Sequence, residues 1–272
     1  NQSDLEHCKL VNIFCVERGH ETDLYVGSTL VDVYATSGSL QDAMEVFRAM
    51  PERNIVSWNA LVGGCVEKGL DEKALELLQQ MQVEGVQPDE IAYVNIINAC
   101  ASLADLEQGK RIHGSLMLMD TKVSNLFIGN ALVDMYGKCG SLIEALETFE
   151  KMSETDLVSW NALMIGYSNH GHSETALKFL EQLQLRGILP NCTTYICCLR
   201  ACASTGAIDK GQYIHAEIQR QGLLEGDSII GSALVDMYVK CSLLADAEKM
   251  FDKLPFRDVV SWTALIGGYA RL

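Results

Sequence analysis

Proline is scarce in this 272-residue sequence, with four in all, and tryptophan scarcer, with three. So little proline excludes collagen-like and Pro-rich linker compositions. No run of about 18 apolar residues occurs, so nothing reads as a bilayer-spanning helix. Basic residues are also short: 21 Lys+Arg stand against 36 Asp+Glu, a formal net charge of −15. That balance repels polyanions at long range and argues against indiscriminate nucleic-acid binding. Neither a signal peptide nor an Arg-rich transit segment is visible. The sequence starts at Asn1 rather than Met and stops at Leu272 inside a recurring pattern, so it reads as a segment of a longer protein. The ten cysteines lack a small-domain disulfide framework and lie mostly in apolar stretches such as Tyr195 to Leu199. They are expected as small buried hydrophobes in a reducing compartment, where the sequon Asn191-Cys192-Thr193 has no meaning. What is present, 48% hydrophobic and 21% charged residues, suffices for a sizeable core, and length alone would suggest one or two compact domains.

Self-similarity replaces that estimate. Ser57-Trp58-Asn59-Ala60-Leu61 returns as Ser159 to Leu163 and as Ser261-Trp262-Thr263-Ala264-Leu265, each time after 102 residues. Ala99 to Ser102, Ile112-His113 and Ala131 to Tyr136 recur at the same offset. The unit divides into pieces at 55–89, 90–125 and 126–156, each opening with an apolar helix-like stretch. In 55–89, Trp58, Leu61, Val62 and Cys65 follow helical spacing, and Ala74, Leu78 and Met81 resume it after Gly69, which predicts two amphipathic helices per piece. Ser39 to Asp42 and Ser141 to Glu144 have the form that caps a helix, and Leu243 at the third equivalent place predicts a weaker cap. Pro51, Pro88, Pro190 and Pro255 fall near the ends of pieces and interrupt no helix. The expected fold is all-α, a solenoid of helix-turn-helix repeats forming a superhelix, with one continuous core over residues 1–272.

Val56 to Leu61, Gly85-Val86-Gln87-Pro88-Asp89 and Tyr136-Gly137-Lys138-Cys139-Gly140-Ser141-Leu142 resemble pentatricopeptide repeats. The alternation of three lengths resembles the plant subclass built from P, L and S repeats. On that resemblance the chain holds a partial L repeat at 1–23, S at 24–54, P at 55–89, L at 90–125, S at 126–156, P at 157–191, L at 192–227, S at 228–258 and a partial P at 259–272. The family implies sequence-specific binding of single-stranded RNA, one base per repeat, read by the fifth and last residues while the second packs against the base. Carried over, Ser28 with Asn54 implies adenine, Asn59 with Asp89 and Asn130 with Asp156 uracil, Asn161 with Asn191 cytosine with uracil tolerated, and Ser232 with Asp258 guanine. Thr263 implies a purine at the incomplete last repeat. The L repeats pair Val94 with Asn125 and Ile196 with Asp227, and their apolar fifth residues depart from the readable pattern. The implied ligand is A-U-N-U-C-N-G. Tyr25, Val56, Phe127, Val158, Ile229 and Val260, with Ile91 and Thr193, occupy the base-packing position. Lys138, Lys240 and Arg271, at the thirteenth position, are candidates to lie near phosphates.

Plainer roles stand beside these. Asn59, Asn130 and Asn161 suit first-turn backbone capping as well, and Trp58, Trp160 and Trp262, at helical spacing with leucines, fit core packing better than base stacking. His113 and His215 are expected to be structural, as are Cys198 and Cys202. His170-Gly171-His172 lacks further ligands for zinc, so neither metal nor cofactor is implied. Plant proteins with this triplet arrangement often end in a deaminase-like domain, but His172-Ser173-Glu174 is followed by no Pro-Cys-x-x-Cys, so the segment is expected to be non-enzymatic. The family implies mitochondrial or plastid RNA processing, including site recognition for C-to-U editing, alongside other RNA-processing proteins. The alternative is a protein-binding helical-repeat scaffold, which the acidic charge favours. Asp71, Glu72, Glu76, Asp105, Glu107, Glu144, Glu147 and Glu150 fall largely in second helices, which leaves the first helices for RNA.

Overall fold

The computed structural model describes residues 9–10, 12–14, 23–118, 125–224 and 228–270. From Leu24 onward these form fifteen helices and no strand. In chain order they are α1 (Leu24–Thr36), α2 (Leu40–Ala49), α3 (Ile55–Glu67), α4 (Asp71–Val83), α5 (Glu90–Leu103), α6 (Leu106–Leu118), α7 (Leu126–Lys138), α8 (Leu142–Lys151), α9 (Leu157–Asn169), α10 (Ser173–Leu185), α11 (Cys192–Thr205), α12 (Ile208–Arg220), α13 (Ser228–Lys240), α14 (Leu244–Lys253) and α15 (Val259–Tyr269). Two compact units comprise residues 1–139 and 140–272.

The same packing rule operates in each unit. Odd-numbered helices, the first of each hairpin, stack on one another: α1 on α3, α5 and α7 in succession, and α9 on α11, α13 and α15. An even-numbered helix packs against the first helix that follows it, as α2 does on α3 and α10 on α11. Within each unit a hairpin therefore completes its core with the next one, as a solenoid requires.

The recurrent Ser-Trp-x-Ala-Leu segment now has a physical account. The serine hydroxyl closes the helix start: Ser57 and Ser261 donate to the carbonyls of Asn54 and Asp258, and Ser159 accepts the Asp156 N–H. The tryptophan receives an edge-on phenylalanine from the preceding second helix. Phe47–Trp58, Phe149–Trp160 and Phe251–Trp262 have ring centroids 4.6, 4.7 and 4.7 Å apart at 77°, 72° and 74°, a favourable quadrupolar arrangement. Trp58 and Trp160 are fully buried, and their indole N–H groups have no acceptor, so they act as hydrocarbon. Trp262 is 49% exposed and departs from the core assignment, because the helix that covers Trp160 from the other side, α10 with Phe179, has no counterpart after α15 within these 272 residues.

Helices α6 and α7, and likewise α12 and α13, approach closely at a glycine. A Cβ on Gly109 would meet Met135 Sδ at 2.6 Å, and one on Gly211 would meet Met237 Sδ at 2.7 Å. Beside each contact a histidine bonds a tyrosine hydroxyl: His113 to Tyr136 at 2.8 Å, His215 to Tyr238 at 2.7 Å. Burial, with Lys253 adding to it, lowers the affinity of His215 for a proton, so the neutral ring suits its place.

The hairpin turns correct one expectation. Ser39 and Ser141 donate to Asp42 and Glu144 at 2.5 and 2.7 Å and make no bond to the backbone of the helix they precede. Leu243 stands in the same backbone conformation without losing a cap. The turn is specified instead by the fifteenth residue of each repeat, which is left-handed throughout: glycine at Gly38, Gly69, Gly140, Gly171 and Gly206, but Ala104 (φ 53°) and Ser242 (φ 63°) in the other two. A Cβ in that region costs about 1–2 kcal/mol. Replacing Ala104 by Gly is expected to raise stability by about 1 kcal/mol after allowing for the freer unfolded chain, and urea denaturation reads it; a lower midpoint would contradict the strain. In the same assay Trp160→Ala should cost about 3–5 kcal/mol and Trp262→Ala under half of that.

Candidate functional site

Among the described residues, the one that ends a repeat caps the first helix of the next. Asp23, Asn54, Asp89, Asn125, Asp156, Asn191 and Asp258 sit at N-caps in extended conformation, and each side-chain oxygen accepts a backbone N–H of the first turn. Asp156 and Asn191 complete reciprocal capping boxes with Ser159 and Thr194. Asp and Asn are among the strongest N-capping residues, so local helix physics alone accounts for their recurrence.

The same side chains meet the fifth residue of their own repeat. Ser28 Oγ donates to Asn54 Oδ1 at 3.0 Å and Ser232 Oγ to Asp258 Oδ1 at 2.9 Å. Asn59 Nδ2 donates to both oxygens of Asp89 at 3.0 and 2.9 Å, and Asn161 Nδ2 to Asn191 Oδ1 at 3.3 Å. Asn161 Oδ1 in turn accepts from Thr194 Oγ1 at 2.7 Å. Asn59 and Asn161 therefore bond the capping residue of the next helix rather than a first-turn amide. Asn130 lies half-buried on α7, whereas Asp156 caps α9 in the other unit. Thr263 is exposed and donates to the Val259 carbonyl. Val94 and Ile196, the apolar fifth residues, are half-buried, and Asp227 lies outside the described residues.

The second residue of each first helix is exposed, and at all but Thr193 it is apolar. Tyr25 is 80% exposed, Phe127 72% and Val56 53%, and Ile91, Val158, Ile229 and Val260 are similar; Thr193 is exposed too. Single exposed apolar residues are ordinary, but one at the same register on seven of eight first helices, beside a row of polar pairs, is a pattern of the kind that marks an interaction surface.

Charge is divided between the two sets of helices. The carboxylates along the first helices are Asp32, Glu67, Glu90, Asp134 and Asp236, and the second helices hold many more. Two of the three residues singled out as near phosphates are already paired: Lys138 with Asp134 at 2.7 Å and Lys240 with Asp236 at 2.8 Å. A phosphate approaching either lysine also meets its carboxylate, which the thirteenth-position pattern alone did not reveal. Arg271 lies outside the described residues.

No group of three or more His, Cys, Asp or Glu side chains able to hold a metal occurs among the described residues. His170 bonds the Gly166 carbonyl, His172 precedes α10, and Ser173 bonds Ser204 Oγ at 2.7 Å. Burial pushes the thiols of Cys100 and Cys202 to about 12, so neither supplies a thiolate near neutral pH.

The backbone N–H of Ser261, followed by the Ser232 hydroxyl, holds the Asp258 carboxyl below its usual range. A depressed folded pKa contributes stability that is present above the unfolded value, near 3.8, and lost as pH falls through the folded one. The stability difference between the protein and its Asp258→Asn variant is thus expected to be flat from about pH 8 to 5 and to shrink below about pH 4. Thermal unfolding across that range tests it, and a difference that grows on acidification would refute the assignment.

A model described as the PPR repeat family matches residues 53–102 and 155–204, and a second, described as PPR repeat, matches 28–55, 130–156 and 232–259. Among curated proteins of Arabidopsis thaliana, the mitochondrial pentatricopeptide repeat-containing protein At3g09040 is 36% identical over 262 residues, covering 96% of this chain and 25% of the relative. The chloroplastic pentatricopeptide repeat-containing protein At4g18520 is 35% identical over 261 residues, covering 96% of this chain and 42% of the relative. The chain thus spans well under half the length of these relatives. The crystal structure of the pentatricopeptide repeat protein PPR10 in complex with an 18-nt psaJ RNA element aligns with TM-score 0.84 and 18% identity over 100% of this chain and 41% of that one. PPR10 from maize aligns with TM-score 0.65 and 21% identity over 88% of this chain and 36% of that one. At these identities the structures establish the fold.

Proposed function

This chain belongs to the pentatricopeptide repeat family, and from that premise we propose that it binds single-stranded RNA with one base per repeat. The observation that carries the reading is the set of fifth-to-last residue hydrogen bonds, Ser28–Asn54, Asn59–Asp89, Asn161–Asn191 and Ser232–Asp258, each beside an exposed apolar second residue. The crystallised complex of PPR10 with RNA supports the same ligand class.

Base chemistry follows from the capping residue. A carboxylate only accepts hydrogen bonds, whereas a carboxamide also donates. Guanine and uracil carry a ring N–H on the Watson–Crick edge and suit Asp258 and Asp89; adenine and cytosine carry a ring lone pair and suit Asn54 and Asn191. Ser28 and Ser232 leave room for purines, and the longer Asn59 and Asn161 favour pyrimidines. With Asn130 and Asp156 as a second uracil reader, the ligand is A-U-N-U-C-N-G, with a purine facing Thr263. Tyr25, Val56, Phe127, Val158, Ile229 and Val260 would sit between bases, where flat or branched apolar side chains gain contact without a sequence requirement.

The three repeat lengths support assignment to the P, L and S subclass, and the relatives' names support a mitochondrial or plastid protein. In that setting the segment selects the site for RNA processing, including C-to-U editing, while other parts of the protein or other RNA-processing proteins act on it. The net charge of −15 favours a scaffold for basic proteins instead, but the acid lies mainly on second helices, and its field at the first helices is screened over roughly 8 Å at physiological salt.

Fluorescence anisotropy with A-U-N-U-C-N-G and with permuted letters tests the reading. Each mismatch is expected to weaken binding about five- to a hundredfold, the consequence of one unsatisfied buried polar group. Asp258→Asn, which recreates the Ser28–Asn54 combination, should shift the preference at the seventh nucleotide from guanine to adenine. Equal affinity for matched and permuted RNA would return the scaffold reading.

A further inference from the structure

Arg200 is the one cation on a described first helix with no carboxylate partner. Lys138 and Lys240 are each neutralised by an aspartate one turn earlier on the same helix, whereas the position one turn before Arg200 is Ile196 and one turn after it is Ser204. Arg200 is exposed and borders a cavity of about 180 Å³ between α9 and α11. The cavity is lined by Ile165, Ser168, Asn169, Thr193, Ile196 and Cys197 besides Arg200 itself. A guanidinium, two hydroxyls and a carboxamide thus converge there with no carboxylate among them. The cleft between α13 and α15 contrasts with it, since Asp236 stands in its lining.

We propose that this cleft is a phosphate-binding anchor for the RNA backbone, with Arg200 as its principal contact. The inference rests on the RNA-binding reading above and adds a binding residue to it. The cleft includes Thr193 and Ile196, the second and fifth residues of the 192–227 repeat, so it lies where that reading puts the sixth nucleotide. Ile196 cannot hydrogen-bond a base, so the repeat contributes little to reading and holds the strand by its charge. A guanidinium presents a planar fork matched to phosphate oxygens, and Ser168, Asn169 and Thr193 can complete the shell. The other L repeat has Asn98 at the equivalent place and lacks the charge, so the anchor lies on one side of the array's centre, between the cytosine and guanine steps.

The test is a salt titration of A-U-A-U-C-A-G RNA binding by the protein and by Arg200→Gln and Arg200→Lys. Arg200→Gln should reduce affinity about tenfold at roughly 0.15 M salt, as loss of one charge-assisted contact does, and flatten the dependence of log affinity on log salt by about 0.7. Arg200→Lys should keep the slope. A neutral methylphosphonate linkage on one side of nucleotide 6 should impose a similar loss on the unaltered protein and little more on Arg200→Gln, while an abasic nucleotide 6 should leave the Arg200 effect intact. Unchanged affinity and slope in Arg200→Gln would overturn the anchor and leave the RNA-binding reading standing. An Arg200 effect that vanishes with the abasic nucleotide would overturn the phosphate assignment in favour of a base contact. Sequence-indifferent or absent binding by the unaltered protein would overturn the underlying reading as well.

Discussion

The N-cap is the constraint on which the rest of this structure depends. Each first helix leaves backbone N–H groups exposed at its start, and a short acceptor side chain in an extended residue satisfies one of them for about 1 kcal/mol. Asn54, Asp89, Asn191 and Asp258 meet that demand, and in doing so their side chains become fixed points. The fifth residue of the same repeat then docks on the fixed point from the neighbouring helix. Two side chains are thereby held in one geometry before any ligand arrives, which removes much of the ordering entropy that recognition by free surface side chains would incur.

Because Asp and Asn cap almost equally well, exchanging them leaves the helix start intact while replacing an acceptor by a group that also donates. Chemical identity at the candidate reading position is thus only weakly coupled to stability. The serine or asparagine at the fifth position has similar freedom, since Ser28 and Asn161 both reach their caps although one carries a hydroxyl and the other a carboxamide. Trp58 and Trp160 have no such freedom, because each is fully buried with its ring against a phenylalanine of the preceding hairpin. Invariance in the core and variability at the cap are the combination that an array of interchangeable readers needs.

The periodic pattern was legible because it is imposed by burial: an apolar residue displaced by one position would leave the core, so the 102-residue repeat and the helix pairs follow from spacing alone. Short-range polar motifs were less legible. Ser39-x-x-Asp42 has the form of a capping box, yet the backbone enters α2 from a left-handed glycine, and the serine turns to the carboxylate instead. The left-handed fifteenth residue was obscured because Ala104 and Ser242 replace glycine there, so composition gave no consistent signal. Lys138 and Lys240 were visible as cations, and the aspartates four residues before them were visible too; helical spacing joins the two, and the pairing removes most of the charge they offer to a distant anion. The same rule applied to Arg200 identifies an unpaired cation in the sequence itself.

A strongly acidic protein can present a hospitable surface to a polyanion if distance and pairing are arranged for it. Most of the acid belongs to second helices, and for a strand bound along the capped ends, as proposed above, screening would weaken that acid's field. The aspartates at the N-caps accept backbone N–H groups, and Asp89 and Asp258 also accept from their fifth-position partners, so their charge is met by hydrogen-bond donors at short range. What then decides attraction near the surface is the sum of local dipoles and the few cations left uncompensated. Helix starts direct their positive ends toward the capped row, and Arg200 supplies a full charge in a cleft free of carboxylate. On the RNA-binding reading proposed above, such a surface would attract a strand weakly from afar and hold it mainly through contacts at each nucleotide, so that correct hydrogen bonding would be a larger share of the binding energy than in a basic protein.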